Sequence, residues 1–384
     1  MLPVKGMKTT FLHTSDFQIG MSRWRLGEEA SPRFALDRIL AIRRVHELAK
    51  AQGCEFIVVA GDFFDANSLS LQTINRVKAE LEKLSMPAVF VAGNHDPLTA
   101  DSMYSHIEAI EHVIVARDNQ AFEVLPGVEI VAAPYMAKSS DRDLVAEAIE
   151  PLEPTGNIRI AVGHGQAESR SNEIRLDQIS LDLVEKNIAQ GVIDYLALGD
   201  THSAQPVGSS GKVWFSGSPE PTDYHVLHTN GGENNSGNAL VVEVEKHGEQ
   251  EAEVSVATHR VGTWIFHDIH QNVNSLEDAE AFINQLEQYE DKYNTAIRYS
   301  LEGVVDLSTS QWLEERLHTL ENTFACLYSH ERTMDLIVQP QEGEIENLGL
   351  SGFAREALKE LQERDDETAR DAAKLLLRLG RNAS

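Results

Sequence analysis

The stretch Phe56-Ile57-Val58-Val59-Ala60-Gly61-Asp62-Phe63-Phe64-Asp65 runs five apolar residues straight into a glycine and two carboxylates. An apolar run this short, rich in β-branched residues and closed by glycine, predicts a buried strand. The same figure stands on either side. Upstream, Phe11-Leu12-His13-Thr14-Ser15-Asp16 is a strand, and Arg33 to Gln52 carries Ala35, Ile39, Ile42, Val45, Leu48 and Ala49 at helical spacing before stopping at Gly53. Downstream, Leu71 to Leu84 reads as a second helix, and Ala88-Val89-Phe90-Val91-Ala92, entered through Pro87, as a third strand. Alternating strands and helices of this kind predict an α/β fold, in which ligands sit outside the carboxyl ends of the strands.

The pattern continues through strands at Ile130-Val131-Ala132-Ala133, Ile158-Arg159-Ile160-Ala161-Val162 and Tyr195-Leu196-Ala197-Leu198. After His202 it changes. Strand-like Val213-Trp214-Phe215 and Ala239-Leu240-Val241-Val242 flank a Gly- and Asn-rich stretch, Asn230 to Asn238, whose composition predicts an exposed loop. From Glu253 a small α+β domain is expected, with a strand through Val261, a strand Ile265-Phe266-His267-Asp268, helix Leu276 to Tyr289, strand Ile297 to Leu301, helix Gln311 to Leu320 and strand Phe324 to Tyr328. Beyond Pro340, Ser351 to Leu361 and Thr368 to Leu379 are amphipathic helical stretches. The expected division is 8–252, 253–340 and a tail 341–384.

A length of 384 residues fits two domains and a tail, and 42% hydrophobic with 24% charged residues excludes collagen-like and wholly disordered chains. The 33 Lys plus Arg against 61 Asp plus Glu give -28, which argues against a protein that coats nucleic acid or anionic membranes by charge alone. Two cysteines, Cys54 and Cys326, are too few for a disulfide framework and point to a reducing cytoplasm. No apolar run approaches the roughly 18 residues of a membrane span. The opening Met1 to Gly6 has no apolar signal core, and Met7 is expected as the natural start.

Five polar clusters follow strands directly: Asp16-Phe17-Gln18, Gly61-Asp62-Phe63-Phe64-Asp65, Gly93-Asn94-His95-Asp96, Gly163-His164-Gly165 and Gly199-Asp200-Thr201-His202. Carboxylate, amide and imidazole recur at each. This is the inventory that phosphate-ester hydrolysis by two metals requires: a bridging carboxylate, further oxygen and nitrogen ligands, and open positions for water and substrate.

These clusters resemble the five motifs of the calcineurin-like metallophosphoesterase superfamily. With Ser216-Gly217-Ser218-Pro219 following, they are similar in particular to the bacterial SbcD-type DNA repair exonucleases, over roughly residues 8 to 340. The resemblance implies a four-layer α-β-β-α sandwich with a small α+β capping domain and a C-terminal helical tail. It implies that Asp62 bridges two divalent ions, that Asp16, Gln18 and His202 complete one, and that Asn94, His164 and Asp200 complete the other. His95 would assist the leaving oxygen or the pentavalent phosphate, Asp96 would orient its ring, and a metal-activated hydroxide would attack phosphorus in line. The implied activity is DNA exonuclease or endonuclease, with DNA as substrate, an SbcC-type ATPase as partner and a homodimer as assembly. The alternative is a phosphodiesterase or phosphatase for nucleotides or other small esters. A degenerate scaffold that binds a partner without chemistry is a third reading.

Two positions depart from the family pattern. Gln18 stands where the first motif has histidine, and Asp200 stands where the last motif has its first histidine. The resulting shell has five oxygen donors and two imidazoles, which favours manganese, with magnesium, iron or zinc as alternatives. The same two positions allow a weakened, single-metal enzyme. His13 reads as a packed structural histidine and Asp65 as a partner for its own loop. Met21-Ser22-Arg23-Trp24-Arg25 reads as a solvated loop or as a site that touches phosphates and stacks a base, and Arg170 and Arg175 carry the same two readings. Leu375-Leu376-Leu377 reads as a helix packed on its own domain or as a surface docking the ATPase.

Overall fold

The computed structural model describes residues 6–167, 178–249, 251–341, 352–362, 364, 368–369, 372–373 and 375–376. The chain divides into two compact units, the first comprising residues up to Asp223 together with Gly232–Trp264, the second Tyr224–Gly231 together with the residues from Ile265 onward.

The first unit begins with β1 (Met7–Thr14), α1 (Gly27–Ala51), β2 (Phe56–Ala60), α2 (Leu71–Leu81), β3 (Ala88–Val91) and β4 (Val113–Val115). Helix α1 starts six residues before the expected Arg33 and carries Pro32 inside it. There follow β5 (Phe122–Leu125), β6 (Val128–Ala132), α3 (Leu144–Ile149), β7 (Ile158–His164), α4 (Leu181–Ala189), β8 (Tyr195–Gly199), β9 (Gln205–Val207) and β10 (Val213–Phe215). The short strands β11 (His225–Val226) and β12 (Gly231–Gly232) lead to β13 (Asn238–Lys246) and β14 (Glu253–Arg260).

Two six-stranded sheets result, ordered β14-β13-β1-β2-β3-β4 and β5-β6-β7-β8-β10-β9. Strands β1 to β4 run parallel, as do β6 to β8, so their carboxyl ends collect at one edge of each sheet. Alternation along each strand separates the layers. On β2, Phe56, Val58 and Ala60 join Ile130, Ile160 and Tyr195 of the other sheet in one core, whereas Ile57 and Val59 pack with Ile42, Val45 and Val77 of α1 and α2. The second sheet turns Ala161, Leu196 and Leu198 to Val145, Ile149, Val184 and Ile188 of α3 and α4. These are the four layers α, β, β, α that the resemblance implies.

The strand at Glu253–Arg260 does not open the smaller domain, as the boundary at 253 supposed. It pairs antiparallel with β13 along its whole length, from Asn238↔Arg260 to Glu245↔Glu253, as the edge of the first sheet. Its sequence announces a strand but carries nothing that says which sheet receives it.

The second unit contains β15 (Ile265–Asn272), α5 (Leu276–Glu287), β16 (Thr295–Val305), α6 (Leu307–Glu321), β17 (Cys326–Ser329) and β18 (Asp335–Val338). Its sheet runs β12-β11-β15-β16-β17, with β18 also on β16, and Phe282, Ile283 and Leu286 of α5 and Leu313 and Leu317 of α6 cover one face. Ser275 and Asp306 cap the two helices. In the tail, Phe353–Gln362 is helical, while Thr368 to Leu379 lies only partly within the described residues and Leu377 lies outside them. No helix among the described residues is long and apolar enough to cross a membrane.

Candidate metal centre

The backbone at the carboxyl edge of the sheets is held in conformations that L-residues rarely adopt. Asp16, Gln18, Asp62 and Asp200 have φ of 52°, 42°, 48° and 97°; among the described residues six non-glycine positions have positive φ, and these are four of them. Such conformations persist only where the surroundings over-determine them. Here Asp16 N donates to Gly61 O at 3.0 Å and Gln18 N to Asp62 O at 2.9 Å. Beneath them the buried guanidinium of Arg38 donates to Phe17 O at 2.9 Å and Pro221 O at 3.1 Å, and Ser218 Oγ donates to Asp16 O at 2.8 Å.

The glycines of the clusters make room for ligands. A Cβ on Gly93 would lie 2.1 Å from Asp62 Oδ1, and one on Gly199 would lie 1.9 Å from Ala60 O and 2.8 Å from His164 Nδ1.

Hydrogen bonds fix the histidine tautomers, because a carbonyl can only accept. His164 Nδ1 donates to Ala60 O at 3.0 Å, which leaves its Nε2 as a lone pair facing Asn94 Oδ1 at 3.0 Å, Asp62 Oδ2 at 3.3 Å and Asp200 Oδ1 at 3.9 Å. His202 Nδ1 donates to Glu233 Oε1 at 2.8 Å, turning Nε2 toward Asp16 Oδ1 at 3.8 Å and leaving it to accept from the Gln18 amide Nε2 at 3.1 Å. Ligand atoms of Asp16, Asp62 and His164 lie within 4.8 Å of one another.

At His164 Nε2, lone pairs facing lone pairs at these distances repel unless a cation or a proton lies between them. The electrostatics agree: burial opposes charge on His164, yet Asp62, Asp16 and Asp200 raise its pKa well above the usual imidazole range. Burial likewise opposes ionisation of Asp62, but the His164 ring and the His95 amide outweigh it and hold the pKa low. Gln18 Oε1 is buried without a hydrogen-bond partner. An orphaned oxygen beside acceptor-only carboxylates and imidazole lone pairs fits divalent cations.

Asp96 does not orient His95. Its Oδ2 accepts from Phe64 N at 2.9 Å and Tyr104 OH at 2.8 Å, and Oδ1 from Gly93 N at 2.8 Å. Burial, helped by Asp62, pushes its pKa up to about 6. The half-exposed ring of His95 instead donates from Nδ1 to the carbonyl of Asp65 at 3.1 Å. His13 is structural: Nε2 donates to Leu198 O at 3.2 Å, Nδ1 accepts from Tyr195 OH at 3.0 Å, and burial lowers its pKa to about 3.

Sequence reasoning missed Arg38, Thr222 and Glu233. Glu233 falls in the stretch expected to be an exposed loop, yet its side chain is 10% exposed and bonded to His202. Trp24 in the Met21–Arg25 segment is 78% exposed, with the Arg25 guanidinium 4.6 Å from its ring centroid. Arg170 and Arg175 lie outside the described residues.

The calcineurin-like phosphoesterase family model matches residues 9–238. The SbcD polypeptides of the nuclease SbcCD from Escherichia coli strain K12 and from strain O157:H7 are each 25% identical over 252 residues, covering 56% of this chain and 61% of theirs. The chain thus spans about three fifths of the length of these relatives. Among solved structures, a dimetal phosphatase from Danio rerio aligns with TM-score 0.39 at 12% identity, covering 67% of this chain and 99% of its own.

Proposed function

The chain belongs to the calcineurin-like phosphoesterase family, and from that premise we propose a DNA nuclease that acts in repair, in a reducing cytoplasm, with an SbcC-type ATPase. It is a phosphate-ester hydrolase. The nuclease reading draws on the similarity to the SbcD polypeptides and on the motif residues shared with SbcD-type enzymes. The observation that supports the chemistry is the inward pairing of His164 Nε2 with Asp62 and Asn94, and of His202 Nε2 with Asp16.

In this reading Asp62 would be shared by two divalent ions, Asp16, Gln18 and His202 would hold one, and Asn94, His164 and Asp200 would hold the other. Bound divalent ions supply Lewis-acid polarisation of the phosphoryl oxygens and lower the pKa of an attacking water. The chain does the rest. Ala60 and Glu233 keep the two imidazoles in the ligating tautomer, and Arg38 fixes the loop bearing Asp16. His95, anchored through Nδ1, is assigned to the departing oxygen or to the pentavalent phosphate.

A net charge of -28 favours a second reading, hydrolysis of small phosphate esters, since general attraction to a phosphate backbone is absent. Hydrolysis of single-stranded DNA and of bis-p-nitrophenyl phosphate, measured side by side with manganese for wild type and His95→Ala, separates the two. DNA cleavage lost in the variant supports the nuclease. Cleavage of the small diester alone, with and without an added SbcC-type ATPase, supports the second reading.

A further inference from the structure

His202 is gripped from behind by two residues whose placement in the chain is unusual. Its Nδ1 lies 2.8 Å from Glu233 Oε1 and 2.5 Å from Thr222 Oγ1, and the Thr222 hydroxyl also donates to Glu233 Oε1. The other carboxylate oxygen, Oε2, accepts the main-chain N–H of Thr222 at 2.7 Å. Both carboxylate oxygens are thereby used, and the imidazole cannot turn without breaking one of these bonds. A carboxylate behind a ligating histidine fixes its tautomer and raises its basicity.

Thr222 and Glu233 are also the base of an excursion. Between them, Tyr224–Gly231 belongs to the second unit, and the chain re-enters the first at Gly232. Within the second unit the excursion is anchored by β11 on β15, through His225↔His267 and Val226↔Asp268, by Leu227 N donating to Asp268 O at 3.0 Å, and by Leu227 packing on the core under α5 and α6. At its start, the Tyr224 ring stands 5.4 Å from that of Phe266, with the Arg298 guanidinium 4.6 Å from the Tyr224 ring centroid. The ends of an anchored segment are constrained in separation, and two residues outside each end stand the two halves of the grip on His202.

We propose that Glu233 is the positioning residue of His202, and that the anchoring of residues 224–231 in the smaller unit sets how firmly Thr222 and Glu233 hold it, and with it the affinity for one metal ion. This rests on the metal-centre reading given above.

The test is manganese binding to the metal-free full-length chain, followed by the electron paramagnetic resonance of free Mn²⁺, with thermal melting of each metal-free variant alongside. Wild type is expected to bind two ions. Glu233→Gln should weaken one of them by about 10- to 100-fold, the range for lost carboxylate partners of ligating histidines, and leave the other in place; Glu233→Asp should recover part of the loss. Thr222→Val, which keeps the carboxylate, should weaken the same ion to a smaller extent and serves if Glu233→Gln does not fold. Leu227→Ala, remote from the ligands in sequence, should weaken that ion too. Wild-type affinity at both sites in Glu233→Gln and Thr222→Val overturns the positioning role. Wild-type affinity in Leu227→Ala overturns the coupling while leaving the grip intact. A wild-type chain that binds no manganese refutes the metal centre itself, and the inference with it.

Discussion

The imidazole of His95 is held from Nδ1 by the main-chain carbonyl of Asp65, 3.1 Å away, while the Asp65 carboxylate stands 3.9 Å off. Because the acceptor is backbone, Asp65→Ala should retain most of the hydrolysis of bis-p-nitrophenyl phosphate. His95→Ala should lose about 10²- to 10⁴-fold in kcat, the scale of positioned acid catalysis, with manganese binding unchanged. Equal losses in both variants would transfer the orienting role to the carboxylate.

Asp96 acts on stability. Its two oxygens collect three donors from the loops after β2 and β3 and from Tyr104, all buried. Asp96→Asn turns an N–H toward a donor and leaves both groups unsatisfied. We expect a loss of about 1–3 kcal/mol in urea denaturation of the metal-free protein. An unchanged midpoint would show that the site relaxes around the amide.

The layers and the five motif clusters are legible in the sequence because strand and helix periodicities and glycine-punctuated strand ends are local signals. Asp16, Asp62 and His164, whose ligand atoms the fold gathers within 4.8 Å, stand in those clusters. What escapes is what only three-dimensional closure creates. Arg38 looks like any helical arginine until its helix packs beneath the Asp16 loop, and Glu233 sits in a loop composition indistinguishable from solvent-exposed sequence. Asp96 misleads because adjacency to His95 in sequence suggests contact, whereas its side chain points back into the sheet ends. The strand at Glu253–Arg260 falls to the wrong unit in a sequence reading because pairing partners are not encoded in a strand's own pattern.

His13 makes stability depend on acid. Its pKa is about 3 in the fold against 6.5 ordinarily, so between these values the unfolded chain binds a proton that the folded chain refuses. Stability therefore falls as pH drops below 6.5, by about 2–3 kcal/mol from this residue at pH 4.5. His13→Gln should be less stable than wild type at pH 7.5, with the deficit shrinking at pH 4.5. A deficit independent of pH in chemical denaturation would contradict a neutral buried imidazole.

In the nuclease reading proposed above, Trp24, six residues beyond Gln18, 78% exposed and with Arg25 over one face of its ring, would stack a base on the other. Stacking contributes about 1–3 kcal/mol per base, so Trp24→Ala should raise KM for a single-stranded oligonucleotide by about tenfold. Hydrolysis of bis-p-nitrophenyl phosphate, which has no stacked base to lose, should be unaffected. Equal effects on both substrates would assign Trp24 to folding.

The donor set bears on the choice of metal. Gln18 replaces an imidazole by an amide whose oxygen is buried and unpartnered, and Asp200 replaces another by a carboxylate 3.9 Å from His164 Nε2. In the ligand set proposed above both positions would offer oxygen in place of nitrogen, which would favour manganese and magnesium over zinc. Reconstitution of the metal-free protein should therefore give higher activity with manganese than with zinc. Gln18→His should narrow or reverse that ratio, because the added imidazole would join His202 on the same ion. The check is the activity ratio together with the bound-metal content of each variant under competition. A zinc-preferring wild type, or a ratio unmoved by Gln18→His, would place the selectivity outside the ligands.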